Sequence, residues 1–276
     1  HASTQMTINN AQGALLMKNM GFSRVVPARE CSLDELKKMA DVGVEVEAFA
    51  HGALCVAVSG QCLFSSMIGG RSGNRGRCAQ PCRLPYTLED GTSGYLLSTK
   101  DLMLIDHIPE LRDAGVYSFK LEGRMKRPEY VGVITRAYRE ALDAAEAHVA
   151  YHPSKATIEG LRQVFNRGGF TEGYVMEKSN AALMSWERPN HWGISVGKIM
   201  SMRGPLAQIH LTKKLNDGDG LQARGRQETE FTYSGNDVPA GKDATVRIAS
   251  GQARVGDEVF RLTDAAQMKE IREIMN

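Results

Sequence analysis

Along the first half of the chain, short apolar runs alternate with stretches in which apolar positions recur every three or four residues. Residues 23–29 (SRVVPAR) read as an extended run leading into a helix over 33–42, where Ser32 and Glu35 form a capping-box pair. Residues 44–49 form another extended run. Residues 95–99 (YLLST) precede a helical stretch led by Asp101 and reaching residue 114, and residues 117–121 precede a helix over 128–145. Pro128 opens that helix, and Val131, Ile134, Tyr138, Ala141 and Leu142 share one side of it. This alternation predicts an α/β fold with a parallel sheet.

With the opening run at residues 1–4 there are about five strand–helix units, whereas a closed (β/α) barrel needs about eight. The expectation is therefore a partial TIM-like barrel whose N-terminal strands are missing, spanning 1–146, and the absence of an initial Met fits that expectation. An open doubly wound sheet is the rival, and no Gly-rich dinucleotide fingerprint supports it. Residues 147–188 read as a helical linker with a loop at 166–170. From about residue 192 the texture becomes six strand-like runs: GISVGKIM, LAQIHLT, GLQARG, ETEFTYS, ATVRIAS and DEVFRL. These predict a small closed β-barrel over 189–264, followed by a helix at 265–276.

Composition narrows the options little. With 42% apolar and 24% charged residues and a net charge of +2, the 276-residue chain can bury a core and names no partner by charge alone. No run approaches the roughly eighteen apolar residues of a membrane span, and residues 1–10 lack signal-peptide regions, so the expected location is cytoplasmic.

The cysteines carry more. Cys55, Cys62, Cys78 and Cys82 are separated by six, fifteen and three residues, while Cys31 stands apart. Four thiols in one loop-rich segment suit a tetrahedral sulfur environment, hence zinc or an iron–sulfur cluster. The six residues between Cys55 and Cys62 span a larger object more readily than one ion; zinc and unmetallated core cysteines remain the alternatives. Cys31 reads as a small buried hydrophobe.

The segment around the first two cysteines, EAFAHGALCVAVSGQCLFS at 47–65, resembles the signature of the U32 peptidase family. Ser3-Thr-Gln5, residues 24–26, Arg29-Glu30, residues 97–101 and residues 120–124 resemble runs of the same family, so the likeness covers at least 3–173. The resemblance implies a [4Fe–4S] cluster on the four cysteines. It also implies hydroxylation of a tRNA wobble uridine or a 23S ribosomal RNA cytidine, with prephenate implicated, or a role in oxygen-independent ubiquinone synthesis. The peptidase name comes from a collagenase-like member, which makes peptide hydrolysis the second reading. A non-catalytic, metal-stapled RNA-binding module is the third.

Lys120, Glu122 and Arg124 are spaced by two, so on a strand they share a face that would point into the barrel mouth. They are the candidate carboxylate-binding and proton-handling residues, against an internal salt-bridge layer as the alternative. Arg71, Arg75 and Arg77, with Arg83, crowd the cysteine segment without an acidic residue among them. They suit an anion, either RNA phosphate or a small carboxylate, or else they offset the charge of a thiolate-bound cluster. The chain has neither H-E-x-x-H nor G-x-S-x-G, and His148 and His152 flank Val149 where a zincin needs its Glu.

Overall fold

The structure, a computed structural model, describes residues 1–176, 181–249 and 252–275. Its backbone forms two compact units. The first contains His1–Lys126, Ile134–Pro153 and Arg167–Asn190, and the second contains Arg127–Val133, Ser154–Asn166 and His191–Asn276.

In the first unit the expected alternation is present. After Ala2, which bridges Val25 in parallel, come α1 (Ala11–Asn19), β1 (Arg24–Val25), α2 (Leu33–Ala40) and β2 (Glu45–Ala53). The α2 capping box forms as the sequence predicts: Glu35 N donates to Ser32 Oγ at 3.3 Å and Ser32 N donates to Glu35 Oε2 at 2.7 Å. There follow α3 (Phe64–Gly69), the short hairpin β3 (Tyr86–Thr87) and β4 (Ser93–Gly94), β5 (Asp101–Met103), α4 (Ile108–Asp113), β6 (Val116–Leu121) and α5 (Pro128–Glu146). Beyond α6 (Lys155–Val164), β7 (Phe170–Thr171) and α7 (Gly173–Met176) return to the first unit.

The partial barrel expected from the sequence takes the form of a mixed sheet, not an all-parallel one. β1, β2 and β6 pair in parallel, β5 runs antiparallel to the end of β2, and β7 pairs with β5. The result is a half-barrel sheet centred on β2, the one strand long enough to pair with β1, β6 and β5 in succession. Val46, Ala48 and Ala50 on one face of β2 are buried, and the alternate positions Glu45 and Glu47 meet Arg24 at 2.8 and 3.1 Å. The YLLST run also differs from expectation. Ser98 N donates to Tyr95 O at 2.9 Å in a turn, and the strand begins only at Asp101, where a helix was expected.

In the second unit, β8 (Ile194–Arg203), β9 (Leu206–Leu211), β10 (Gly220–Arg224), β11 (Glu228–Thr232), β12 (Asp243–Arg247) and β13 (Glu258–Thr263) fall on the six strand-like runs, and α8 (Ala265–Met275) follows. They form one antiparallel sheet in the order β11-β10-β13-β8-β9-β12, and among the described residues β11 and β12 do not pair with each other. The alternating apolar positions, such as Ala207, Ile209 and Leu211, meet in a single buried core. Of the expected linker, residues 177–180 lie outside the described residues.

Candidate functional site

The cysteine segment leaves the sheet at the end of β2. Leu54 follows the strand and Cys55 comes next, then α3 and two short 3-10 turns, Gly73–Arg75 and Pro81–Arg83, the second of which contains Cys82. Hydrogen bonds tie this irregular stretch to itself and to the sheet. Ser59 N donates to Glu30 Oε1 at 3.0 Å, and Thr7 Oγ1 donates to Ser59 O at 2.8 Å. Asn74 Nδ2 donates to Gly60 O at 2.8 Å, and Ala79 N donates to Ser65 Oγ at 2.9 Å.

Arg83 is the main anchor. Its guanidinium donates to Leu54 O at 3.0 Å, Thr99 Oγ1 at 2.9 Å, Ser98 Oγ at 2.8 Å and the Thr99 carbonyl. Thr99 Oγ1 in turn donates to Leu54 O at 2.7 Å. One planar fork thus joins the residue after Cys82 to the residue before Cys55. Burial holds the Arg83 pKa below its ordinary value, with the nearby Arg167 acting in the same direction.

All four cysteines of the segment are free thiols, as is the buried Cys31. A Cβ placed on Gly73 would lie 3.7 Å from Cys78 Cβ and 3.9 Å from Cys62 O, so those two cysteines flank one turn. Gln80 N donates to Cys78 Sγ at 3.3 Å. Burial pushes the Cys82 thiol up, Arg83 pulls it down, and Cys55, Cys78 and Cys62 push it up again, which puts all four in one electrostatic neighbourhood. Among the described residues, no three His, Cys, Asp or Glu side chains close into a cage for a single metal ion.

Lys120, Glu122 and Arg124 do not share a strand face, because β6 ends at Leu121. Lys120 lies on the strand and binds Glu47 at 3.2 Å, in the network that also holds Arg24. Glu122 accepts from Arg124 N at 3.0 Å. Arg124 reaches over to the cysteine segment and donates to the Gly76 carbonyl, where a Cβ on Gly76 would meet its guanidinium at 2.9 Å. Arg71, Arg75 and Arg77 are exposed along the same segment, and Arg71 Nε donates to Arg77 O at 3.0 Å.

Sequence reasoning missed a buried set beside this anchor. Asp101, 2% exposed, forms an ion pair with Arg167 at 2.5 Å, and Lys126 and Arg83 act on both electrostatically. Burial raises the Asp101 pKa against the pull of these three cations. Burial brings Lys126 down to about 7, and Arg167 and Arg83 add to that shift. Three cations therefore surround one carboxylate. Next to them His51, 1% exposed, contacts the Tyr138 hydroxyl through Nδ1 at 3.2 Å. Asp101 and Arg167 are 66 residues apart, and no periodicity links them; Asp101 was marked in the sequence by its place at the end of the family-like run 97–101, and nothing marked Arg167 as its partner.

The family model described as Peptidase family U32 matches residues 1–185. Over 242 residues the chain is 37% identical to the 23S rRNA 5-hydroxycytidine C2501 synthase of Escherichia coli, covering 83% of this chain and 37% of that protein. It is 40% identical to tRNA hydroxylation protein P1 of Bacillus subtilis, covering 85% of this chain and 60% of the relative. A Collagenase of Porphyromonas gingivalis is 40% identical over 64% of this chain and 47% of its own length. The chain thus spans less than two thirds of the length of these relatives. No solved structure matches it.

Proposed function

Because this chain belongs to peptidase family U32, and relatives matching more than four-fifths of it are named for RNA hydroxylation, we propose that it is an iron–sulfur protein that takes part in hydroxylating a pyrimidine of tRNA or 23S ribosomal RNA. The observation that carries this reading is the gathering of four free thiols around one segment pinned to the end of β2 by Arg83. Cys55, Cys62, Cys78 and Cys82 would hold a [4Fe–4S] cluster. Soft thiolate donors fit it, and the six residues between Cys55 and Cys62 span a multi-iron body more readily than one zinc. When bound, such a cluster supplies electron transfer or polarises a substrate oxygen.

The chain's own groups divide the remaining work. Arg83 and Arg124 position the cysteine segment by gripping its backbone carbonyls. Asp101, Arg167 and Lys126 form a cation-rich set suited to the carboxylate of a small co-substrate such as prephenate. The cysteines, not the Lys120–Glu47 network, are therefore the first residues to test.

The test is iron, sulfide and zinc analysis on protein purified without oxygen, with Cys55→Ala and Cys82→Ala variants. About four irons per chain, lost in both variants, with 5-hydroxypyrimidines missing from the RNA of a deletion strain and restored only by the unsubstituted gene, is the expected result. One zinc without sulfide, or unchanged nucleosides, overturns the reading; cleavage of a collagen peptide by the zinc form would then favour the peptidase.

A further inference from the structure

No Asp or Glu occurs between Glu47 and Glu89, a stretch that holds all four clustered cysteines and four arginines: Arg71, Arg75, Arg77 and Arg83. Arg83 is consumed by backbone carbonyls, but the other three are exposed, and among the described residues none of them meets a carboxylate. This differs from the cations of the sheet, where Arg24 and Lys120 are neutralised by Glu45 and Glu47.

The same segment exposes apolar surface. Leu63 is 60%, Met67 83% and Ile68 61% exposed on and beside α3. Phe64 and Tyr86 behind them pair at 6.1 Å with a 31° tilt, both half-buried. Burying those side chains within the unit would have been the ordinary outcome for a helix of this composition. The surface is also held in shape before any partner arrives, by the Arg71–Arg77, Ser65–Ala79 and Asn74–Gly60 hydrogen bonds. Little ordering entropy is left to lose on binding.

We propose that residues 60–88 form the docking face for a single-stranded stretch of RNA, with Arg75 and Arg77 on its phosphates and Met67 and Ile68 against its unstacked bases; this rests on the RNA reading above. Unpaired guanidiniums without a nearby carboxylate match a polyanion. Adjacent exposed apolar side chains match bases that have left a helix, since a duplex buries its base faces. The placement brings a looped-out base to the rim of the cysteine site.

The experiment is fluorescence anisotropy with a labelled unstructured oligoribonucleotide and the full chain, at several salt concentrations. It compares the unsubstituted protein with R75A/R77A, M67S/I68S and a control, R203A/R247A, that removes two exposed charges from the second unit. Iron content and unfolding midpoint are checked for each. The expected result is about tenfold weaker binding by R75A/R77A, with the salt slope reduced by about 2. M67S/I68S should weaken binding at an unchanged slope, and the control should stay within about twofold. Equal binding by both segment variants and the unsubstituted chain, or an equal loss in the control, overturns the inference. No RNA binding by the unsubstituted chain also overturns it, while the nucleoside analysis separately decides whether the hydroxylation reading stands.

Discussion

The Tyr138 hydroxyl joins three groups in the first unit. It donates to Ala50 O at 2.8 Å and accepts from Leu104 N at 3.1 Å, so the remaining contact, to His51 Nδ1 at 3.2 Å, has the imidazole as donor. His51 therefore carries a proton on Nδ1. Burial, with a smaller contribution from Lys126, depresses its pKa to about 3 from 6.5. Below pH 6.5 the unfolded chain takes up a proton that the folded chain refuses until about pH 3, so stability falls as pH drops through that window and is fully present above it. Urea unfolding at pH 7, 5.5 and 4.5 should show this loss, and His51→Asn should flatten its share of the pH slope. Asp101 supports a second prediction. Asp101→Asn leaves Arg167 buried beside a neutral amide and should cost about 3–5 kcal/mol, whereas the double variant with Arg167→Met should cost less than the two single changes together, as a double-mutant cycle would measure. Neither His51 nor Asp101 was legible as a partner of anything in the sequence, because each meets its neighbours across long chain separations.

Elements with strong local signals formed where expected. The Ser32–Glu35 box starts α2, and Ser32→Ala should cost about 1 kcal/mol in a denaturation series. Pro128 opens α5, although Val131, expected on its apolar side, is 48% exposed. The six strands of the second unit were legible because turn residues separate the runs and because β9 and β12 alternate strictly, a pattern with one structural solution when a single face is buried. The first unit was harder. β1, β5 and β7 hold two or three residues each, too few for a period, and the antiparallel pairing of β5 with β2 is set by the long cysteine excursion between them. At the end of β2, Gly52 has φ +113°, and a Cβ there would meet Glu122 O at 2.5 Å. Gly52→Ala should therefore destabilise by about 2 kcal/mol or more and loosen the β2–β6 junction, read by unfolding and by amide exchange at Glu122.

At the scale of the molecule, the cysteine spacing marks a candidate site, and Arg83 anchors that segment to the end of β2. That anchor makes metal removal testable. Stripping the proposed cluster should loosen the backbone around the exposed Arg71, Arg75 and Arg77, so that tryptic cleavage in 71–83 speeds up and precedes any cut in the second unit's strands. Equal cleavage before and after stripping would count against the cysteines holding a metal. No described helix is long and apolar enough to cross a membrane. The pairing of β2 with β1, β6 and β5 has a last consequence, for how the chain tolerates changes in length. Inserting one residue within Glu45–Ala53 would turn Val46, Ala48 and Ala50 toward the charged face, bring Glu47 against the helices and shift Cys55 relative to Arg83. Loops elsewhere can absorb a residue, but this strand can be lengthened only by two, and then only by also moving the cysteine segment.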